Sequence, residues 1–178
     1  TKEGSGGVGG DEKFTAKGGN KVVDEKGEPL VVYHGTNKEF DKLDADKPQR
    51  GLFFTKDKQS AKGYANKKGD GSGTVREAKI SLKNPHIIDA KGKSYDEIIV
   101  DLDKVDMATG KGVSKKMTTD EIVDALRGKR SEKIITSLYG KKEKADGIII
   151  KNVKDNFTKQ GEPTDIYIPF SNEQIVEQ

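Results

Sequence analysis

The 178-residue chain carries 33 basic and 30 acidic side chains, a net charge of +3, with 31% hydrophobic and 35% charged residues. That composition suits one domain with a modest core and a mixed-charge surface, and it provides no basic field that by itself argues for a nucleic-acid partner. The absence of cysteine excludes a disulfide, a thiolate nucleophile and a cysteine-zinc site, and no apolar run approaches the ~20 residues of a membrane helix.

Residues 1–20 are rich in Gly and Lys and read as a flexible linker ahead of a folded domain at 21–178. The chain starts at Thr in a Gly-rich stretch and shows no signal peptide, so it is expected to be a monomeric domain of a longer protein, acting in the cytoplasm. Lys21 to Tyr33 predicts a hairpin with its turn at Glu25-Lys26-Gly27 and Pro29 at the start or edge of the second strand. Asn37 to Arg50 is polar and reads as a loop around Phe40 and Leu43; Lys56 to Asn66 predicts a helix packed through Ala61, Tyr64 and Ala65. Thr74 to Leu82 alternates as a half-buried strand, ended by Asn84-Pro85, with His86 to Asp89 as a short continuation.

Ser94-Tyr95-Asp96-Glu97 has capping-box spacing and predicts a helix through Val100 or Leu102. Asp103 to Lys116 is charged and reads as a loop. Thr118-Thr119-Asp120-Glu121 repeats the capping signal before Ile122, Val123, Ala125 and Leu126, and Glu132 to Tyr139 predicts a third helix. Gly147 to Lys151 has the character of a buried strand, Asn152 to Thr164 is a polar loop with one aromatic at Phe157, and Asp165 to Phe170 is the last long strand. Strands at both ends with helices between them predict an α+β fold with a twisted, mostly antiparallel core.

The chemistry concentrates between Leu30 and Ala65. An apolar strand ends in Tyr33-His34-Gly35-Thr36, a second apolar run holds Gly51-Leu52-Phe53-Phe54-Thr55, and a helix carries Ser60-Ala61-Lys62-Gly63-Tyr64-Ala65. A glycine beside a strand-end histidine lets a ligand lie against the backbone, and Phe53 and Tyr64 offer two flat faces for an aromatic ligand.

These motifs resemble the NAD-binding half of ADP-ribosyltransferases of the His-Tyr-Glu class, that of diphtheria toxin and the poly(ADP-ribose) polymerases. Gly27–Thr36, Lys83–Pro85 and Asp146–Asn152 are more closely similar to the ADP-ribosyltransferase domains of phage and mobile-element polyvalent proteins. The resemblance covers roughly Val22 to Val176 and implies a split antiparallel β-sandwich with an NAD cleft and flanking helices. It implies that His34 hydrogen-bonds a ribose hydroxyl, that Gly35 holds the nicotinamide carboxamide through its backbone, and that Thr36 orients His34 or touches ribose. Phe53 and Tyr64 would sandwich the nicotinamide, Phe53 standing where relatives carry tyrosine, and Ser60 matches the start of the family's helix turn. No metal is implied.

The third family element is a glutamate at the start of the late strand, and the resemblance puts Ile166 there. Asp165 lies one residue before, on the opposite side of an ideal strand. A bulge would be needed to bring it into the cleft, so Asp165 is the expected acid, followed by Glu162 and Glu173. The expected activity is mono-ADP-ribosyl transfer from NAD to a macromolecular acceptor, protein rather than nucleic acid, in a phage-delivered or secreted effector or toxin. The alternatives are a non-catalytic NAD- or ADP-ribose-binding module, RNA 2′-phosphotransfer drawing on Arg50, Arg76 and Lys56, and an interaction domain whose lysines track nucleic acid.

Overall fold

The computed structural model describes residues 12–37, 43–45, 52–67, 69, 71–127, 145–155, 157–158 and 161–178. The elements in order are β1 (Val31–Thr36), β2 (Phe54–Thr55), α1 (Lys58–Ala65), β3 (Thr74–Ile80), β4 (Pro85–Asp89), β5 (Ile98–Val105), β6 (Gly112–Met117), α2 (Thr119–Arg127), β7 (Gly147–Lys154), β8 (Pro163–Pro169) and β9 (Ile175–Glu177). The helix expected at Glu132–Tyr139 lies outside the described residues, as do Phe40 and Arg50.

Seven strands form one sheet in the order β4-β7-β8-β2-β1-β3-β9, and β5 and β6 pair apart from it. The fold is therefore mixed α/β with one large sheet. Where the sequence predicted a sandwich split into two sheets, the two-residue β2 pairs with β1 on one side and β8 on the other and joins the halves. All neighbours are antiparallel except β4 and β7, which run parallel. His86 to Asp89 is thus no continuation of β3 but a separate edge strand.

Both faces of the sheet are covered, and β7 shows why. Alternate side chains of a strand point to opposite faces. Ile148 and Ile150 join Ile166, Ile168, Ile98, Val100 and the apolar face of α2 in one core. Ile149 between them joins Tyr167, Phe54, Val32, Ala78 and Ile80 in the other. An unbroken apolar run is what a strand buried on both faces requires.

The helix predicted after Ser94 is a strand instead. The Ser94 turn closes one bond, from Glu97 N to the Ser94 carbonyl at 3.1 Å, and stops. The residues after it are β-branched and alternate: Ile98 and Val100 are buried while Ile99 is 54% exposed. The charged stretch read as a loop is the rest of a hairpin, turned at Asp106, whose Oδ1 accepts from Ala108 N and Thr109 N at 2.7 and 3.3 Å, with Gly110 at φ +68°. Asp101, Asp106, Lys111, Lys115 and Lys116 are exposed, and Ser114 donates to Asp101 at 2.8 Å. The second capping box does start a helix: Glu121 N donates to Thr118 Oγ1 at 3.2 Å and Thr118 N donates back to Glu121 Oε1 at 3.4 Å.

Residues 12–20, which composition placed in the leading linker, pack against the sheet. Phe14 is buried, and the buried amide of Asn20 donates to the carbonyls of Phe14 and Ile80 at 2.7 and 2.8 Å while accepting from Leu82 N at 2.8 Å. The hairpin predicted from Lys21 shortens to the single bridge Val23–Pro29, with Gly27 at φ +79° in its turn.

Helix α1 sets one wall of the site. Asp57 caps it by accepting from Gln59 N and Ser60 N at 3.2 and 3.1 Å. It lies so close to β1 that a Cβ on Gly35 would stand 1.8 Å from the Ala61 carbonyl oxygen. The glycine after the histidine is therefore demanded by helix–strand approach, before any ligand is considered.

Candidate active site

A cleft of about 290 Å³ opens where the end of β1, the start of β2 and helix α1 meet two segments that flank the β5–β6 hairpin. Four of the residues singled out in the sequence line it together: His34, Gly35, Phe53 and Tyr64.

His34 is oriented from behind. Its Nδ1 lies 2.7 Å from the Phe53 carbonyl oxygen. A carbonyl only accepts, so Nδ1 carries the proton and the neutral ring keeps its lone pair on Nε2. Burial is the main reason its pKa falls below the usual 6.5; the carbonyl contact opposes that shift and the nearby Arg76 adds to it. The neutral imidazole is an acceptor built into an otherwise mostly apolar wall. The Phe54 ring tilts against it at 5.7 Å.

Tyr64 projects from α1, and its phenol is pushed up to about 12, chiefly by burial, so it remains a protonated donor at neutral pH. The edge of Phe157 meets its ring at 4.7 Å and 68°. Phe157 sits over Gly63, where an added Cβ would fall 2.3 Å from the Phe157 ring. The aromatic of the polar loop is thus a plug behind Tyr64.

Three residues expected in the site are elsewhere. Thr36 ends β1 opposite Thr74 and does not line the cleft. Ser60 is fully buried on the inner face of α1, donating to Asp155 Oδ2 at 2.5 Å, and does not line the cleft. Asp165 corrects the sequence expectation most directly. Its Oδ2 pairs with Lys56 at 3.1 Å and its Oδ1 accepts from Asn152 N at 3.1 Å, outside the cleft. The bulge that was to turn it inward exists, but on the partner strand: the β7–β8 register shifts between Ile150 and Val153, with Asn152 at φ +55°. That bulge holds Asp165 on the far side. Ile166 instead lines the cleft, as the strand alternation requires. Glu162 and Glu173 are exposed and do not line it either.

Sequence reasoning missed Tyr95, Asp96, Thr118, Thr119 and Asp120, all of which line the cleft. The signal was present as the twin capping-box motifs. The two segments are clamped together by Thr119, whose N and Oγ1 both donate to the Tyr95 carbonyl, at 2.9 and 3.1 Å. Among the described residues the carboxylates lining the cleft are Asp96 and Asp120. Among the described residues no Lys or Arg lines the cleft: Arg76 pairs with Glu177 at 2.5 Å and Lys56 with Asp165, and Arg50 lies outside the described residues.

Residues 24–177 match the model of a family described as ADP-ribosyltransferase in polyvalent proteins. No curated protein and no solved structure matches the chain.

Proposed function

We propose, from the premise that this chain belongs to the ADP-ribosyltransferases of polyvalent proteins, that it transfers ADP-ribose from NAD to a macromolecular acceptor. The observation that carries the reading is the convergence of His34, Gly35, Phe53 and Tyr64 on one cleft, in the order and spacing that the family resemblance requires. The cleft's volume of about 290 Å³ lies just below the ~300–1,000 Å³ of small-molecule sites, which suits the nicotinamide and its ribose with the rest of the dinucleotide reaching outward.

In this reading Phe53 and Tyr64 hold the flat ring, the Gly35 backbone meets its carboxamide, and His34 Nε2 accepts from a ribose hydroxyl. The bond from the ribose anomeric carbon to the nicotinamide nitrogen breaks with its electron pair passing to the ring, which leaves as neutral nicotinamide. The sugar passes through an oxocarbenium-like state, as in glycoside cleavage. An acceptor nucleophile then bonds the anomeric carbon and releases its proton. A carboxylate near the sugar would lower the barrier, and Asp96 and Asp120 are the acids on the cleft wall for that role. The acceptor is a protein, and the domain serves as a delivered effector or toxin.

A second reading, a module that binds NAD without turning it over, is favoured by one observation: the strand position where relatives carry the acid is Ile166, and Asp165 faces away. Incubation with labelled NAD and a cell lysate separates the two. Label passing to protein supports the transferase, and bound but untransferred NAD supports the module. Label on RNA or DNA would overturn the protein acceptor.

A further inference from the structure

Asp155, just past β7, has no exposed surface, yet it carries a carboxylate. Burying such a group costs several kcal/mol unless donors surround it. Here three do. Ser60 Oγ donates to Oδ2 at 2.5 Å, Tyr95 OH donates to the same oxygen at 2.9 Å, and Phe157 N donates to Oδ1 at 2.8 Å. The three donors come from the helix forming one wall of the cleft, the segment forming another, and the loop whose aromatic plugs the back of Tyr64. The Tyr64 phenol lies beside the same cluster, near enough that Tyr95 and Asp155 both bear on its pKa, and its ring is backed by Phe157, whose backbone Asp155 holds. Asp155 itself does not line the cleft.

Stability alone does not account for this arrangement, because an apolar residue at the same point would avoid the desolvation cost. What a buried acceptor adds is direction: the Tyr95 hydroxyl is aimed at one point, which fixes where its ring axis points, and the Phe157 amide is held so that the Phe157 ring backs Tyr64. We infer that Asp155 is a positioning residue of the site, which sets the poses of Tyr64 and Tyr95 and so the width of the slot in which an aromatic ring lies. The slot's occupant follows the proposed function, on which this step rests; the positioning does not.

Two measurements test it. The first needs no ligand. The chain has five tyrosines, few enough to resolve individually by NMR of carbon-labelled tyrosine rings. Asp155→Asn keeps the size of the side chain and removes its charge. The ring signals of Tyr64 and Tyr95 should move and broaden while those of Tyr33 and Tyr167 stay put. Unmoved Tyr64 and Tyr95 signals in a folded variant would overturn the inference. The second is a double-mutant cycle on NAD affinity, with Tyr95→Phe as the partner change. Each single variant should weaken binding about tenfold, one hydrogen bond's worth, and the double variant little further, because the two act through one link. Additive losses would also overturn the inference. Ser60→Ala, which touches the same carboxylate but not the cleft, should bind NAD within about threefold of the parent, a change of less than about 0.7 kcal/mol. A parent chain that binds no NAD would sink the proposed function and leave the ring spectra to decide Asp155.

Discussion

The Nδ1 of His34 lies 2.7 Å from the Phe53 carbonyl oxygen, so the last residues of β1 and the approach to β2 are locked through one imidazole. The same contact decides which ring nitrogen accepts. His34→Ala should therefore lower transfer by about 10²-fold or more, on the scale of one lost contact to the reacting sugar, and leave the fold intact. Rates from labelled NAD, read beside a thermal melt, check both halves. Equal rates in variant and parent remove His34 from the site.

The lowered pKa of His34 predicts a pH dependence with a definite sign. Burial keeps the folded imidazole neutral below the usual 6.5, so as pH falls the unfolded chain takes up the proton first. The histidine's contribution is fully present above 6.5 and is lost as pH falls through that value toward the folded pKa. NAD affinity should hold as pH drops past 6.5 and fail only as pH reaches the lower pKa of the folded state, whereas stability should begin to fall at 6.5. Urea melts of the parent and His34→Gln across that range measure it; the variant's curve should be flatter.

Phe53→Ala and Tyr64→Ala should each weaken NAD binding by about 1–3 kcal/mol, the scale of lost stacking and burial. Phe53→Tyr should be tolerated. Calorimetric titration gives the affinities. Loss of the cooperative melt in Tyr64→Ala would assign that ring to packing with Phe157 instead.

The carboxylates separate by position. Asp165→Asn should leave turnover near the parent and lower stability by no more than about 1 kcal/mol, since its partner Lys56 is 47% exposed. Asp96→Asn and Asp120→Asn, made singly and together, should carry the larger loss, about 10²-fold in kcat for the acid nearest the sugar. An inactive Asp165→Asn beside active Asp96 and Asp120 variants would reverse this assignment.

Asn20→Ala tests whether the domain starts before Lys21. It strands the Phe14 and Ile80 carbonyls and the Leu82 amide in the core, at a cost of at least about 1–3 kcal/mol. A midpoint shift in denaturant is the measurement; an unchanged midpoint would return the segment to linker.

Much of this was legible along the chain because it is local. The helix predicted over Lys56 to Asn66, the alternation of β3 and the apolar run of β7 follow from periodicity and turn chemistry within a few residues. The grouping of His34, Gly35, Phe53 and Tyr64 was legible because strand end, turn and helix follow one another over a short span. What tertiary structure alone decided was long-range. Ser94 and Thr118 open the same capping motif, yet Ser94 leads into a strand, because Ile98 to Val100 are β-branched with alternate burial while the residues after Thr118 repeat on one helical face. That outcome brings both motifs to the cleft wall. The side on which Asp165 lies depends on the β7–β8 register and a bulge at Asn152, a pairing between strands whose offset no local pattern states. The burial of Asp155 likewise requires α1, the Tyr95 segment and the Phe157 loop to meet at one point, and only the folded chain sets that meeting.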